Sequence, residues 1–270
     1  MNAPNALPGS AALRLLAPDE PPAFTVDRPS AASDFVLACD HASRRIPRSL
    51  GTLGLSDAEL STHIGWDIGA ERVATLLSGM LDAVLIKQNY SRLVIDCNRP
   101  LGAPDSIARQ SEWTQVIGNH KVSEADAAAR TAEIFVPYHD KLCAILDQRQ
   151  REGQRSLLIA VHSFTPVYRN TPRPWHLGIM HRHDARIATA LFHALRSHGD
   201  LCVGDNLPYA IRDGSDYTLP THGESRGIAH VGLEIRQDLI GDAAGQQAWA
   251  ARLAQLLTQS AALVADLPMR

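Results

Sequence analysis

Two histidines stand directly after short apolar runs that have the composition of buried β-strands. His41 comes shortly after the run that ends at Cys39, and His162 follows the run that ends at Val161. In an open α/β sheet, ligands bind outside the carboxyl ends of the strands, so both imidazoles are expected at the same edge. Neutral imidazole is a frequent ligand of zinc and other divalent metals. The two histidines are therefore candidate metal ligands.

A catalytic zinc site needs a third protein ligand and an open position for water. Asp67 is the first candidate for this ligand, and His63 and Asp40 are the alternatives. Asp40 is also suited to orienting a ligand imidazole through the second ring nitrogen. The competing interpretation of Asp67 is an ordinary carboxylate that stabilises the start of a helix. His and carboxylate ligands accept zinc, manganese, iron or cobalt, and zinc is the expected ion.

A carboxylate that moves protons is the next requirement of amide hydrolysis. Glu234 lies within the last apolar run, where burial is expected to raise its pKa. The alternative is a structural ion pair between Glu234 and Arg236. Asp96 and Ser163 also follow apolar runs, and we expect them to contact the metal ligands and not the metal itself.

Three arginines and an amide fall at the same expected edge of the sheet. They are Arg92, Arg99, Arg236 and Asn98. Because guanidinium groups bind carboxylates through paired hydrogen bonds, these residues predict a small substrate that carries two carboxylates. Solvation at the surface is the alternative for Arg92.

Apolar runs alternate with segments of helical periodicity along most of the chain. This pattern predicts one α/β domain over residues 31–270, with a mostly parallel central sheet and helices on both faces. Residues 1–30 are rich in Ala and Pro and predict a flexible tail, and residues 100–121 predict a long functional loop. Strands are predicted at 34–39, 83–88, 93–96, 156–161 (ended by His162), 177–180 and 231–235, and helices at 67–81, 123–152 (interrupted at Pro137), 184–198 and 242–265.

The composition argues against several classes of partner. The net charge of -3 and the pI near 6.4 give no basic surface for nucleic acid or anionic membranes. No apolar run approaches the roughly 18 residues that a membrane span requires. The four cysteines are widely spaced and form no CxxC pair, and no secretory signal is recognisable. We therefore expect reduced cysteines, a cytoplasmic location and a small-molecule partner, with the oligomeric state open.

Five segments, in this order and spacing, resemble the N-formylglutamate amidohydrolase family, and the resemblance extends from residue 34 to about residue 260. It implies an α/β fold related to zinc-dependent exopeptidases. It also implies hydrolysis of N-formyl-L-glutamate to formate and L-glutamate, the last step of one route of histidine degradation. The segments are residues 39–43 (CDHAS), 66–70 (WDIGA), 92–100 (RLVIDCNRP), 161–163 (VHS) and 232–236 (GLEIR).

The first of these segments departs from the family pattern, because it has Asp-His-Ala-Ser where better-defined formylglutamate hydrolases have Pro-His-Ser-Gly. This departure leaves another N-acyl amino acid open as the substrate. Two further alternatives are a carboxypeptidase-like enzyme and a non-catalytic protein that binds a dicarboxylate. The leading hypothesis is a metal-dependent amidohydrolase that acts on a small N-acylated acidic amino acid.

Overall fold

A central sheet forms from most of the predicted strands, and two small hairpins extend from loops. The structure is a computed structural model that describes residues 14–195, 199–212 and 214–265. Its strands are β1 (Phe24–Asp27), β2 (Phe35–Cys39), β3 (Val84–Gln88), β4 (Gln110–Ser111), β5 (Thr114–Gln115), β6 (Leu157–Phe164), β7 (Val167–Tyr168), β8 (Thr171–Pro172), β9 (Leu177–Met180), β10 (Val203–Asp205) and β11 (Ala229–Arg236).

The seven strands of the central sheet lie in the order β1-β3-β2-β6-β11-β9-β10. The four strands from β3 to β11 run parallel to one another. Antiparallel pairing occurs where β1 meets β3 and where β11 meets β9, and β10 is parallel to β9. The mostly parallel sheet predicted from the sequence is thus confirmed.

Helices connect the strands close to the predicted positions, with shifted ends. None of the described helices is both long and apolar enough to cross a bilayer. The helices are α1 (Asp57–Leu60), α2 (Ala70–Leu81), α3 (Glu124–Arg130), α4 (Val136–Arg151), α5 (Arg186–Leu195) and α6 (Ala243–Ala265).

Alternate residues of β6 pack into two different cores, one on each face of the sheet. Leu157, Ile159 and Val161 belong to the core that α2, α5 and α6 cover. Leu158 and Ala160 point the other way, into the core that α4 covers. Helices therefore lie on both faces, as predicted. We call the two sides the α6 face and the α4 face.

Asp67 lies before helix α2 and not within it. The predicted start at residue 67 is too early, because Gly69 precedes the helix with a left-handed backbone (φ 79°). A side chain at Gly69 would meet the carbonyl oxygen of Ile240 at 2.3 Å. The backbone N–H of Asp67 donates to the carbonyl oxygen of His41 at 3.0 Å, which fixes the two candidate ligands beside each other.

Residues 93–96 form no strand, so the predicted strand there is wrong, and residues 92–94 form a turn. The N–H of Val94 donates to the carbonyl oxygen of Ser91, and that of Arg99 donates to the carbonyl oxygen of Asp96. The apolar side chains of this segment are buried in the core on the α4 face. A short apolar run suits a buried turn as well as a strand, and periodicity does not separate the two.

Strands β6 and β11 are longer than predicted. His162 does not end β6, which continues through Ser163 to Phe164. Residues 229–236 all belong to β11, so Glu234 is also inside a strand. A polar residue after an apolar run predicts the end of a strand, but carboxylates next to His162 allow the imidazole to remain inside the sheet.

The predicted helix at 123–152 is interrupted near Pro137, as expected. Ser123 and Asp126 form a capping box at its start. A π-helical turn over Thr131–Phe135 then separates α3 from α4. Pro137 lacks an N–H donor, and the wider turn accommodates this loss without ending the helix.

The predicted flexible tail is too long, because β1 pairs with β3 inside it. The N–H groups of Leu15 and Leu16 also donate to the carboxylate of Glu133, at 2.6 and 2.9 Å. Edge strand β1 lacks a strong apolar run, so composition did not reveal it. Residues 1–13 and the predicted end of α5 at residue 198 lie outside the described residues.

Candidate active site

Three buried side chains meet beside the carboxyl end of β2. One ligand atom from each of His41, Asp67 and His162 lies within 4.8 Å of the others, so the group could hold a metal ion. Asp67 Oδ2 is 2.8 Å from His162 Nδ1 and 3.3 Å from His41 Nδ1. Two imidazole nitrogens and one carboxylate oxygen are a donor set that suits a catalytic zinc. Asp67 is thus grouped with the histidines, and His63 instead pairs with Glu112 at 3.1 Å.

The outer nitrogen of each imidazole faces a second carboxylate. His41 Nε2 is 2.8 Å from Asp96 Oδ1, and His162 Nε2 is 3.4 Å from Asp40 Oδ2. A carboxylate behind an imidazole fixes the ring and keeps the proton on that nitrogen. With this proton on Nε2, Nδ1 can offer its lone pair to a metal, whereas without a metal the 2.8 Å contact between His162 Nδ1 and Asp67 Oδ2 requires a proton on Nδ1 as well.

Asp40 is held by two hydroxyl groups that the sequence did not reveal. Tyr138 and Thr218 both donate to Asp40 Oδ1, at 2.7 and 2.9 Å. Asp40 Oδ2 has no hydrogen bond of its own and is left facing His162. The two hydroxyls lie 98 and 178 positions from Asp40 along the chain, so no local pattern could connect them.

The electrostatics of this cluster favour bound positive charge. Burial raises the pKa of Asp40, but the neighbouring His162, with smaller contributions from His41 and Tyr138, outweighs this effect and brings the pKa to about 2. Burial lowers the pKa of His162, yet Asp40 and Asp67 raise it well above its usual value. Asp67 also has a lowered pKa, because His41 and His162 outweigh the effect of burial. A divalent cation would take the place of the protons that these carboxylates attract.

Glu234 lies next to His162 on the neighbouring strand. The two residues are paired in the register of β11 and β6, with both side chains on the α4 face. Glu234 is buried, and its Oε2 atom has no hydrogen-bond partner. Burial is the main reason why its pKa is raised to about 7, with His162 opposing the shift and Asp67 adding to it. The carboxyl group can therefore gain or lose a proton near neutral pH.

The alternative ion pair between Glu234 and Arg236 does not form. Arg236 donates to Asp238 at 2.8 Å and to the carbonyl oxygen of Pro174 at 3.2 Å. An unpartnered buried carboxylate costs folding free energy, of the order of 1–3 kcal/mol. Such a group is more easily understood as a reactive group than as a structural one.

Each predicted substrate-binding arginine has a carboxylate partner within the chain. Arg92 Nη2 lies 2.7 Å from Asp96, and its Nη1 lies 3.5 Å from Asp67. Arg99 Nε lies 2.7 Å from Asp105. Arg92 therefore belongs to the ligand cluster, whereas Arg99 and Arg236 pair away from it.

Asn98 and Ser163 contact the backbone around the site. Asn98 Oδ1 accepts hydrogen bonds from the N–H groups of Tyr217 and Thr218, at 3.1 and 3.0 Å. The N–H of Ser163 donates to Asp67 Oδ2 at 3.3 Å, and its hydroxyl donates to the carbonyl oxygen of residue 68 at 2.8 Å. Ser163 thus contacts a candidate ligand as predicted, while the Asn98 oxygen is used to place Thr218.

The chain is thus an α/β protein with a buried His/Asp group that could hold a metal ion, and the comparisons with known proteins give its family. The family model of N-formylglutamate amidohydrolase matches residues 33–241, and the chain belongs to this family. No significant match was found among curated proteins.

Two solved structures share the fold. The crystal structure of a gene product from Agrobacterium tumefaciens is 39% identical, with a TM-score of 0.91, and the alignment covers 94% of this chain and 100% of that one. The crystal structure of an N-formylglutamate amidohydrolase from Ralstonia eutropha has a TM-score of 0.62 at 18% identity. That alignment covers 90% of this chain and 98% of the other. At this identity, the second likeness supports the fold alone.

Proposed function

We propose that the protein is a metal-dependent amidohydrolase that cleaves N-formyl-L-glutamate to formate and L-glutamate. The observation that carries the proposal is the position of Glu234. This buried, unpartnered carboxyl group lies in register with His162, a member of the group that could hold a metal. The family membership supports the amidohydrolase class, and the resemblance of the sequence supports zinc and a part in histidine degradation.

The residues present fit a catalytic metal. His41 Nδ1, His162 Nδ1 and an oxygen of Asp67 would hold the ion. His162 Nε2 and Asp40 Oδ2 lack hydrogen bonds and face each other at 3.4 Å. A cation held by the other nitrogen of this imidazole would make Nε2–H a stronger donor to Asp40. When bound, the metal would polarise the formyl carbonyl group and acidify a water molecule.

Glu234 would carry the proton in this reaction. As a carboxylate it accepts a proton from the attacking water, whose oxygen forms a bond to the formyl carbon. It then gives this proton to the leaving nitrogen as the carbon–nitrogen bond breaks. The products are formate and the free amino group of glutamate. Asp96 and Asp40 hold the two imidazoles during this step.

The proposed function is tested by formate release from N-formyl-L-glutamate, measured before and after treatment of the purified protein with a chelator. We expect release to stop when the metal is removed and to return when zinc is restored. Full activity after verified metal removal would contradict the mechanism. Formate release from another N-formyl amino acid, without release from this one, would contradict only the substrate.

The alternative of a non-catalytic dicarboxylate-binding protein is tested by the same assay with Glu234→Gln. In a binding protein the substitution should leave ligand binding intact, whereas the hydrolase requires the ionisable group for turnover. Tight binding without turnover by the metal-loaded wild-type protein would favour the binding protein.

A further inference from the structure

Arg173 carries a guanidinium group that lies close to two tyrosine rings. Its Cζ atom is 4.5 Å from the centre of the Tyr168 ring and 4.7 Å from that of Tyr209. Its Nη1 donates to the Tyr209 hydroxyl at 2.8 Å. Within the part of the chain that the structure describes, no carboxylate forms an ion pair with it. Contacts with two rings restrict the position of a guanidinium group, and planar guanidinium groups bind carboxylates through paired N–H donors.

This guanidinium lies on the α4 face, near the carboxyl end of β6. Its Cζ is 6.0 Å from the centre of the ring of Phe164, the last residue of that strand. Phe164 follows His162 by two positions, so the two side chains point to the same face of the sheet. Arg173 is therefore on the side of the sheet that carries the candidate ligands.

Tyr209 connects Arg173 to the surroundings of Glu234. A Cβ atom built on Gly178 would lie 3.2 Å from Glu234 Cβ and 3.2 Å from Pro208 Cδ, so Glu234 and the residue before Tyr209 both lie close to Gly178. Burial raises the pKa of Tyr209, the charge of Glu234 raises it further, and the charge of Arg173 lowers it. Both groups are thus close enough to the same hydroxyl to act on it.

Arg173 differs in this respect from the three arginines that the sequence singled out. Each of those has a carboxylate partner within the chain: Arg92 with Asp96, Arg99 with Asp105 and Arg236 with Asp238. Arg236 also supports the segment that follows Arg173, because its Nη1 donates to the carbonyl oxygen of Pro174 and its N–H to that of His176. Of these four arginines, Arg173 is therefore the one for which the described residues supply no carboxylate partner.

We propose that Arg173 determines substrate specificity by binding a carboxylate of the N-acyl amino acid. The inference rests on the proposed function for the identity of the substrate. The guanidinium is held in place before the substrate arrives, so little side-chain entropy is lost on binding. The carboxylate that it binds is either the α-carboxylate or that of the side chain, and the test below distinguishes them.

The test measures binding by calorimetry in zinc-loaded protein carrying Glu234→Gln, which prevents turnover. The ligands are N-formyl-L-glutamate, N-formyl-L-glutamine and N-formyl-L-isoglutamine, of which the last two each lack one carboxylate. We expect Arg173→Met to raise the Kd of N-formyl-L-glutamate about 10- to 100-fold, as for the loss of a hydrogen-bonded ion pair. For the monoamide that lacks the carboxylate bound by Arg173, the Kd values with and without Arg173→Met should agree within about twofold.

Two further variants separate binding from structure. Arg169→Met is the matched control, because Arg169 also stacks on Tyr168, at 5.5 Å, but contacts Trp113 on its other side. It should leave all three Kd values unchanged. Arg173→Lys keeps the charge but loses the paired donors, so it should recover only part of the affinity.

Three results would overturn the inference. One is equal weakening of all three ligands by Arg173→Met, which would make Arg173 a structural clamp for Tyr209. Another is a Kd that Arg173→Met leaves unchanged for all three ligands. The third is binding of N-formyl-L-glutamate by the reference protein no tighter than that of either monoamide. If binding depends on Arg173 as expected but the wild-type protein releases no formate, the proposed reaction is wrong and the carboxylate site stands.

Discussion

The two faces of the central sheet use the same strands in different ways. On the α6 face, β6 contributes Ile159 and Val161 to an apolar core with no exposed side-chain surface at either residue. On the α4 face, the same strands present His162 and Glu234, both buried and each with an atom that lacks a hydrogen bond. One residue of offset along a strand therefore separates an apolar core position from a buried polar position with an unpartnered atom.

The two faces therefore differ in how their buried side chains affect the stability of the folded state. Burial of an apolar side chain on the α6 face stabilises the folded state by about 25 cal/mol for each Å² removed from water. A buried polar atom without a hydrogen-bond partner destabilises the folded state. If the account is right, substitutions on one face should change stability and leave metal binding intact, and substitutions on the other should do the reverse.

The largest effect is expected from Glu234→Gln on the α4 face. It should lower kcat by about 10²–10⁴-fold, because the amide cannot carry a proton. Metal content should not change, and the melting temperature should not fall, since a neutral amide replaces a carboxyl group whose pKa burial has raised to about 7. Formate release, metal analysis and thermal unfolding check these three points. A rate within a few-fold of wild type would refute the assignment of the base.

The opposite pattern is expected from Ile159→Ala on the α6 face. Loss of this buried side chain should lower the free energy of unfolding by about 2–5 kcal/mol. The zinc affinity of the remaining folded protein should stay within about threefold of wild type, because the side chain points away from His162. Urea unfolding and zinc titration measure the two quantities. A large loss of zinc affinity would show that the two faces are not independent.

A smaller effect is expected from the hydroxyl groups behind the ligands. Thr218→Val removes one of the two donors to Asp40 Oδ1 and should weaken zinc binding about 10-fold, at the low end for a partner of a ligand. Thr218→Ser keeps the hydroxyl and is the matched control, with an affinity near that of wild type. Equal losses in both variants would point to packing and not to the hydrogen bond.

The smallest change concerns the titration of Glu234 itself. In metal-free protein its carboxyl group should titrate near pH 7, since burial raises its pKa. Zinc binding should lower this pKa, because a nearby cation favours the carboxylate over the neutral acid. Difference infrared spectra of the wild-type protein and Glu234→Gln, recorded across pH with and without zinc, would show the carboxyl band. An unchanged or raised pKa in the zinc-loaded protein would place the metal away from Glu234.

The sequence predicted the parts of the site that depend on strands. His41, His162 and Glu234 were found because apolar runs mark buried strands, and parallel strands gather their carboxyl ends at one edge. Asp67 was selected as the third ligand because it offers a carboxylate close to this edge. The structure brings these residues together, although His162 lies inside its strand and Asp67 lies before its helix.

The parts that depend on partners distant in the chain were not predictable. Whether an arginine faces a substrate or an internal carboxylate is decided by loops, and the sequence could not show that Arg99 pairs with Asp105. Arg173 lies beyond a two-residue hairpin strand that carries no apolar run, so no pattern marked it. The contacts of Tyr138 and Thr218 with Asp40 likewise join separate segments.

The central claim is that His41, Asp67 and His162 hold a metal on which the reaction depends. The most direct measurement is a zinc titration of chelator-treated protein, with formate release from N-formyl-L-glutamate and bound zinc recorded at each point. The account predicts that activity is absent at the start, rises in proportion to bound zinc, and reaches its plateau at about one ion per chain. Full activity in protein verified to be free of metal would contradict it.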